Sequence, residues 1–173
     1  MDIKNCKLCD NCIKRQNVVE GIGNKNARIM FIFDHPGYRQ NRTGIFRSDP
    51  NINRFLGYLT DYGFNEFNAY FTMLLKCKPT SNYTLKRGLD ICTNAYLSRE
   101  YMYGGKRKDI LITVGRSVSD YMFPKQTYKY FKAYNIGATI IAIPNSDWFV
   151  KGGQMSINRL SYIKNFYDTF NQN

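Results

Sequence analysis

Short uninterrupted apolar runs alternate along the chain with stretches in which apolar residues return every three or four positions. The run Arg-Ile-Met-Phe-Ile-Phe over 28–33, ended by Pro36-Gly37, predicts a strand buried on both faces that enters a turn. The polar stretch over 38–48 reads as a loop. Asp49-Pro50 then supplies an N-cap and a proline at the first helical position, and Ile52, Phe55, Leu56 and Leu59 repeat at helical spacing up to Gly63. A second apolar run over 69–75 predicts a strand that delivers Lys76-Cys77-Lys78-Pro79 to its C-terminal end. Leu85, Leu89, Cys92 and Tyr96 mark a helix that stops near Gly104-Gly105, and Lys106-Arg107-Lys108 reads as a solvated turn. A third strand over 109–114 leads through Gly115 into a short helix over 117–122. The stretches 130–134 and 138–143, separated by Asn135-Ile136-Gly137, read as a hairpin or two adjacent strands. Ser156 is placed as the cap of a last helix that turns Ile157, Leu160, Ile163, Tyr167 and Phe170 inward.

Strands alternating with helices predict a three-layer α/β/α sandwich around a mostly parallel sheet. Ligands of such sheets bind outside the C-terminal ends of the strands, where Asp34-His35-Pro36-Gly37, Lys76-Cys77 and Pro144-Asn145-Ser146 fall. With no internal repeat, low-complexity tract or linker, the 173 residues read as one domain over 1–173, preceded within it by a Cys-rich segment at 1–17.

Charge changes this picture more than size does. Lys and Arg number 25 against 13 Asp and Glu, a formal +12 that points to a polyanionic partner. The 14 Tyr and 12 Phe exclude a disordered basic tail. No apolar run approaches the roughly 20 residues of a membrane span, and the first residues carry no apolar signal core. The expectation is a cytoplasmic chain in a reducing compartment, away from membranes.

Five cysteines there need a reason other than structural disulfides. Three of them lie in Cys6-x2-Cys9-x2-Cys12 among Lys7, Asp10, Asn11 and Lys14, and Cys77 and Cys92 follow far downstream. Thiols clustered among polar residues suit metal ligation better than burial as small hydrophobes. His35 is the sole histidine, so four-thiolate ligation is favoured, and it fits either Zn2+ or an iron-sulfur cluster.

Taken in order, these motifs resemble the family 4 uracil-DNA glycosylases, the iron-sulfur branch of that superfamily. Cys6-x2-Cys9, Arg15, Val18-Val19-x-Gly21-x-Gly23 and Ala27-Arg28-Ile29-Met30 are similar to the family's N-terminal segment and first strand. Phe33-Asp34-His35-Pro36-Gly37 resembles its Gly-Glu-Ala-Pro-Gly motif, and Thr43-Gly44-Ile45-Phe46 its Gly-x-Pro-Phe loop. Tyr70-Phe71-Thr72-Met73-Leu74-Leu75-Lys76-Cys77-Lys78-Pro79 resembles its Tyr-Ile-Thr-Asn-Val-Val-Lys-Cys-Arg-Pro strand. The likeness covers residues 6 to about 150.

The resemblance implies a uracil-DNA glycosylase-like fold and a 4Fe-4S cluster on Cys6, Cys9, Cys77 and Cys92, with Cys12 left over as an alternative to Cys6. It also implies a base-flipping pocket formed by Pro36, Gly37, Phe46 and Met73. Here the chain departs from the family. Met73 replaces the Asn that reads the uracil edge, and a thioether lacks an amide's paired donor and acceptor. Pro144-Asn145-Ser146 replaces the late His-Pro motif, so Asn145 offers one hydrogen bond and no charge. His35 stands where other branches position the attacking water, which makes His35, with Asp34 and Asn145, the candidate catalytic set; the plainer alternative is a histidine that bonds backbone or phosphate. Arg39, Arg42, Arg47, Lys76 and Lys78 flank the motifs as candidate phosphate contacts, with Lys151 later. Trp148 and Phe149 occupy the place of the family's duplex wedge, as DNA-stacking groups, core residues or a protein-docking point.

Three functions follow from this. The first is a DNA-binding iron-sulfur domain without uracil excision, an accessory module in replication or repair; similar domains accompany phage and mobile-element DNA polymerases, so the partners implied are single-stranded or distorted DNA and a polymerase or other replication protein. The second is an active glycosylase of altered base specificity that uses His35. The third is a protein-only interaction module.

Overall fold

The computed structural model describes residues 3–123 and 127–172. Six strands form one sheet: β1 (Ile22–Gly23), β2 (Ile29–Phe33), β3 (Ala69–Met73), β4 (Ile110–Val114), β5 (Ala133–Asn135) and β6 (Thr139–Ile143). Their order is β1-β3-β2-β4-β6-β5, with β3, β2, β4 and β6 parallel and the two edges antiparallel. Each of the four parallel strands is buried at every position, which explains why they read in sequence as unbroken apolar runs instead of alternations.

Nine helices surround the sheet among the described residues: α1 (Asn11–Lys14), α2 (Tyr38–Thr43), α3 (Pro50–Asp61), α4 (Asn82–Cys92), α5 (Ser98–Tyr101), α6 (Arg116–Met122), α7 (Ser146–Lys151), α8 (Gly153–Asn158) and α9 (Ser161–Gln172). Ile29, Phe31 and Phe33 of β2 pack with Phe55 and Leu59 of α3, Phe149 of α7 and Ile163 of α9. Met30 and Ile32 pack on the other face with Leu97, Val118 and Phe123. The period-two alternation of one strand thus fills two separate cores, and the three-layer sandwich expected from the sequence is the fold.

Asp49 caps α3 as its sequence predicts, accepting from the amides of Asn51 and Ile52 at 3.0 Å each. Other expectations are corrected. The 38–48 stretch holds α2 and a 3-10 turn, Phe46–Ser48, in place of a loop. Gly37 stands at the helix N-cap, and its amide donates to the Gln40 side chain at 2.9 Å, three residues into the turn. Ser156 lies inside α8, buried, and the last helix starts at Ser161. Lys108 is no solvated turn residue: it is 2% exposed, its ammonium donates to the Lys25 carbonyl, and the ring of Tyr70 lies 5.9 Å away.

The chain leaves β2 for β3 on one side and returns to β4 on the other. That reversal puts the switch point of the sheet at the C-terminal ends of β2 and β4, the place where open parallel sheets hold ligands.

Candidate functional site

Asp34 and His35 leave the end of β2, both half-buried. His35 Nε2 lies 3.9 Å from Asp34 Oδ2, and its Nδ1 lies 3.3 Å from the Pro36 carbonyl. In the tautomer that donates from Nδ1 to that carbonyl, Nε2 keeps its lone pair for a proton. Behind them, Gln40 ties two motifs together, because it accepts from Gly37 and donates from Nε2 to the Phe46 carbonyl at 2.6 Å. Pro36 is buried, and the Phe46 ring is 2% exposed with Phe33 edge-on at 5.5 Å. Met73 pairs in register with Phe33 and is fully buried. A thioether and two phenyl rings therefore line this part of the fold, and the side-chain amide beside them, that of Gln40, is taken up by the Gly37 amide and the Phe46 carbonyl.

Asn145 arrives from the end of β6 and caps α7, its Oδ1 accepting from the Trp148 amide at 3.0 Å. Its carbonyl is thereby engaged and its NH2 is the group left to donate. Gly115 faces it at the end of β4: its φ of +105° suits glycine, and a Cβ there would sit 3.4 Å from that of Asn145. Asn51 Nδ2 donates to Asp147 Oδ1 at 2.9 Å, which ties the start of α3 to the start of α7. These two partners carried no sequence signal, being 96 residues apart.

The basic residues divide. Arg39 and Arg42 project from α2, exposed, and Lys151 is exposed on α7 with Asp147 at 3.8 Å. Lys78 is half-buried, and Arg47 is held by Glu66 at 2.6 Å and Asn53 at 3.2 Å. Lys76 is a correction: its side chain is 1% exposed and its ammonium donates to Glu100 at 2.6 Å, to the Met73 carbonyl at 2.8 Å and to Thr72. A group so enclosed does not meet phosphates. Phe149 is a second correction, being fully buried and stacked on Phe55 at 4.7 Å, so it is core. Trp148, one residue earlier and about 100° around the helix, is 37% exposed and edge-on to Phe149.

Cys6, Cys9, Cys77 and Cys92 line one apolar cavity with Leu75, Val18, Asn11 and Tyr96, and Cys12 is not part of its lining. Helix α1 reaches this place because Gly88 lets it close on α4; a Cβ on Gly88 would fall 2.4 Å from Asn11 Nδ2. Burial pushes the Cys92 thiol up to about 12, against the pull of the Lys76 backbone amide. Burial likewise raises Cys77, while Arg15, donating from Nη1 to its sulfur at 3.3 Å, lowers it. Among the described residues, no three Cys, His, Asp or Glu side chains converge on a point suited to one metal ion. The four thiols border one enclosed space, and as thiolates they are a donor set that either a 4Fe-4S cluster or Zn2+ would take. Of two orphaned atoms here one, the Tyr96 hydroxyl, supports the fit, because it has a proton to give to sulfur; Asn11 Oδ1 only accepts. The Tyr96 hydroxyl and Asn11 Oδ1 are the buried side-chain polar atoms without a hydrogen-bond partner among the described residues, and both residues line this cavity.

A sequence model of the family described as the uracil DNA glycosylase superfamily matches residues 20–170. The chain belongs to that superfamily. Within it, the chain is 28% identical over 131 residues to the type-4 uracil-DNA glycosylase of Saccharolobus solfataricus, covering 74% of this chain and 59% of that protein. It is 27% identical over 127 residues to the type-4 enzyme of Archaeoglobus fulgidus, covering 70% and 60% respectively. For the type-4 enzyme of Thermotoga maritima the identity is 33% over 86 residues, covering 47% and 43%. The chain thus spans under two thirds of the length of these curated relatives. The Cys-rich segment at 1–17 precedes the stretch matched to the superfamily, so its place beside Cys77 and Cys92 rests on the fold. Among the described residues of this uracil-DNA glycosylase-like domain, no helix is long and apolar enough to cross a membrane.

Proposed function

We propose that this chain is a DNA-binding, uracil-DNA glycosylase-like iron-sulfur domain that does not excise uracil and serves as an accessory module in DNA replication or repair. Met73 carries the reading. It fills the position of the family's uracil-reading amide, it is fully buried, and it presents a thioether where discrimination needs a donor beside an acceptor. Asn145 compounds the loss, because its carbonyl caps α7 and its one free group carries no charge to stabilise a departing base anion. The exposed charges of Arg39, Arg42 and Lys151 and the open face of Trp148 support retained contact with single-stranded or distorted DNA.

Cys6, Cys9, Cys77 and Cys92 would hold the 4Fe-4S cluster, with Cys12 outside the set. When bound, the cluster supplies a covalent staple between the N-terminal segment, the end of β3 and α4, and binding is coupled to folding there. Arg15 places a positive charge against this sulfur-rich site.

The test is a glycosylase assay across uracil, deaminated and hydroxymethylated bases, run beside a DNA-binding titration. The expected result is binding with a log-log salt slope of about −3 to −6 and no abasic sites. Alkali-labile breaks in uracil-containing DNA would refute the reading. A second function, excision of another base, is favoured by one observation: the half-buried His35 whose Nε2 lies 3.9 Å from the Asp34 carboxylate. It predicts breaks in DNA carrying that base that vanish in His35→Ala.

A further inference from the structure

Hydrogen-bond donors converge on the cysteine cavity from three directions. Arg15 Nη1 donates to Cys77 Sγ at 3.3 Å, and its Nη2 is anchored on the Lys4 carbonyl at 3.0 Å, which fixes the guanidinium plane. The backbone amide of Lys76 is directed at the Cys92 sulfur. The Tyr96 hydroxyl faces Cys6 and meets no acceptor in hydrogen-bond geometry, although its residue is only 7% exposed. Tyr96 comes there by way of a π-helical turn, Thr93–Leu97, that interrupts the helix directly after Cys92. Such turns are uncommon, and many lie at functional sites.

A buried phenol without a partner costs stability, and folded proteins rarely leave one. The groups facing this hydroxyl are thiols, and a protonated thiol is a weak acceptor. A cluster-bound thiolate or sulfide is a strong acceptor with no proton to give, so it matches a phenol that has a proton and nowhere to place it. We infer that Tyr96 is a positioning residue of the cluster, its hydroxyl donating to sulfur on the Cys6 side as Arg15 does on the Cys77 side. The inference rests on the reading of the four cysteines as cluster ligands and adds to it a donor outside the ligand set. Such donors orient ligands and, by stabilising added negative charge on sulfur, raise the reduction potential.

The discriminating variant is Tyr96→Phe, which keeps the ring in its packing against Leu75 and Cys92 and removes only the hydroxyl. In anaerobically purified, iron-loaded protein, the variant should lose its visible absorbance to a chelator on the order of tenfold faster than the parent, and its midpoint potential should fall. In protein stripped of iron, the sign should reverse: Tyr96→Phe should melt no lower than the parent, because it deletes an unsatisfied group. A purely structural tyrosine would destabilise both forms alike. Loaded parent and variant that bleach at the same rate with the same potential would overturn the inference alone. Parent protein that binds no iron would overturn the cluster reading and this inference with it.

Discussion

The Lys76–Glu100 pair offers the most exposed test of how the strand end is built. The side chains are 1% and 5% exposed and approach to 2.6 Å, so solvent screening does not dilute their interaction. Glu100 Oε2 also accepts from Thr72 Oγ1 at 2.8 Å, and Oε1 accepts from the Tyr70 hydroxyl at 3.2 Å. The ammonium spends its three N–H bonds on Glu100, Thr72 and the Met73 carbonyl. Lys76→Met would leave a buried carboxylate with two neutral donors and no counter-charge, a loss of about 3–5 kcal/mol. For a chain of this size that converts to a fall of roughly 6–20 °C in melting temperature. Replacing both partners, as in Lys76→Met with Glu100→Leu, should recover part of it, because a buried pair exchanged for apolar groups is often close to neutral, while the Thr72 and Tyr70 hydroxyls lose their carboxylate acceptor. Urea unfolding of the parent, the two single variants and the double variant measures the cycle. A Lys76→Met cost below about 1 kcal/mol, with weaker DNA binding and a shallower salt dependence, would show that the lysine works at the surface and that the reasoning is wrong.

Other expectations can be checked with similar means. Phe149→Ala should cost about 3–5 kcal/mol in urea unfolding, whereas Trp148→Ala should cost far less and weaken binding to single-stranded DNA. Reversing both Arg39 and Arg42 to Glu should reduce the salt slope by about 2 or more without shifting the melting temperature, since both are exposed. Tyr70 titrates well above the usual tyrosine range, chiefly because it is buried and next because Glu100 stands beside it. Its neutral phenol therefore favours the folded state at all lower pH, and that contribution should fade as pH rises above about 10, where the unfolded chain ionises first. Tyr70→Phe should flatten this alkaline limb in a pH series of melts.

The parallel strands were legible because burial on both faces keeps them almost wholly apolar, with one threonine each in β3, β4 and β6, and α3 because Asp49-Pro50 marks its start in the sequence itself. Helix α2 was not, since its polar face hid a local signal: Gln40 returning to Gly37, and Gly44 ending the helix at a φ of +72°. Lys76 misled for a different reason. A lysine after a strand reads as a rim charge unless its partner is known, and Glu100 lies 24 residues on, in another layer. Trp148 and Phe149 are neighbours in sequence that the helix turns to different surroundings, so a reading that treats them as one wedge cannot hold for both. At the cysteine cavity, resemblance supplied the grouping of Cys6, Cys9, Cys77 and Cys92, and the fold brought the same four together. Tyr96 had no chemical signal in the sequence beyond its place on an apolar stripe.

The attachment of the N-terminal segment has a consequence for how the protein comes apart. The described residues before β1 contribute no strand to the sheet. They are held by the buried side chains of Cys6 and Val19 and by links from outside the sheet ladder, among them Asn11 to the Thr84 carbonyl at 3.1 Å, Gln16 and Asn17 to α2, Asp10 to Arg87, Arg15 to Cys77, and the Val19 amide to the Lys76 carbonyl at 2.8 Å. A segment with no ladder of its own opens more readily than the sheet, so its amides should exchange with solvent through local opening while β2 and β4 exchange only through global unfolding. Loading of the proposed cofactor would then register as a change in protection in this segment and beside Cys77 and Cys92, with the rest of the sheet unaffected. Protein from iron-starved cells should keep its sheet yet be trimmed by proteases at its front end.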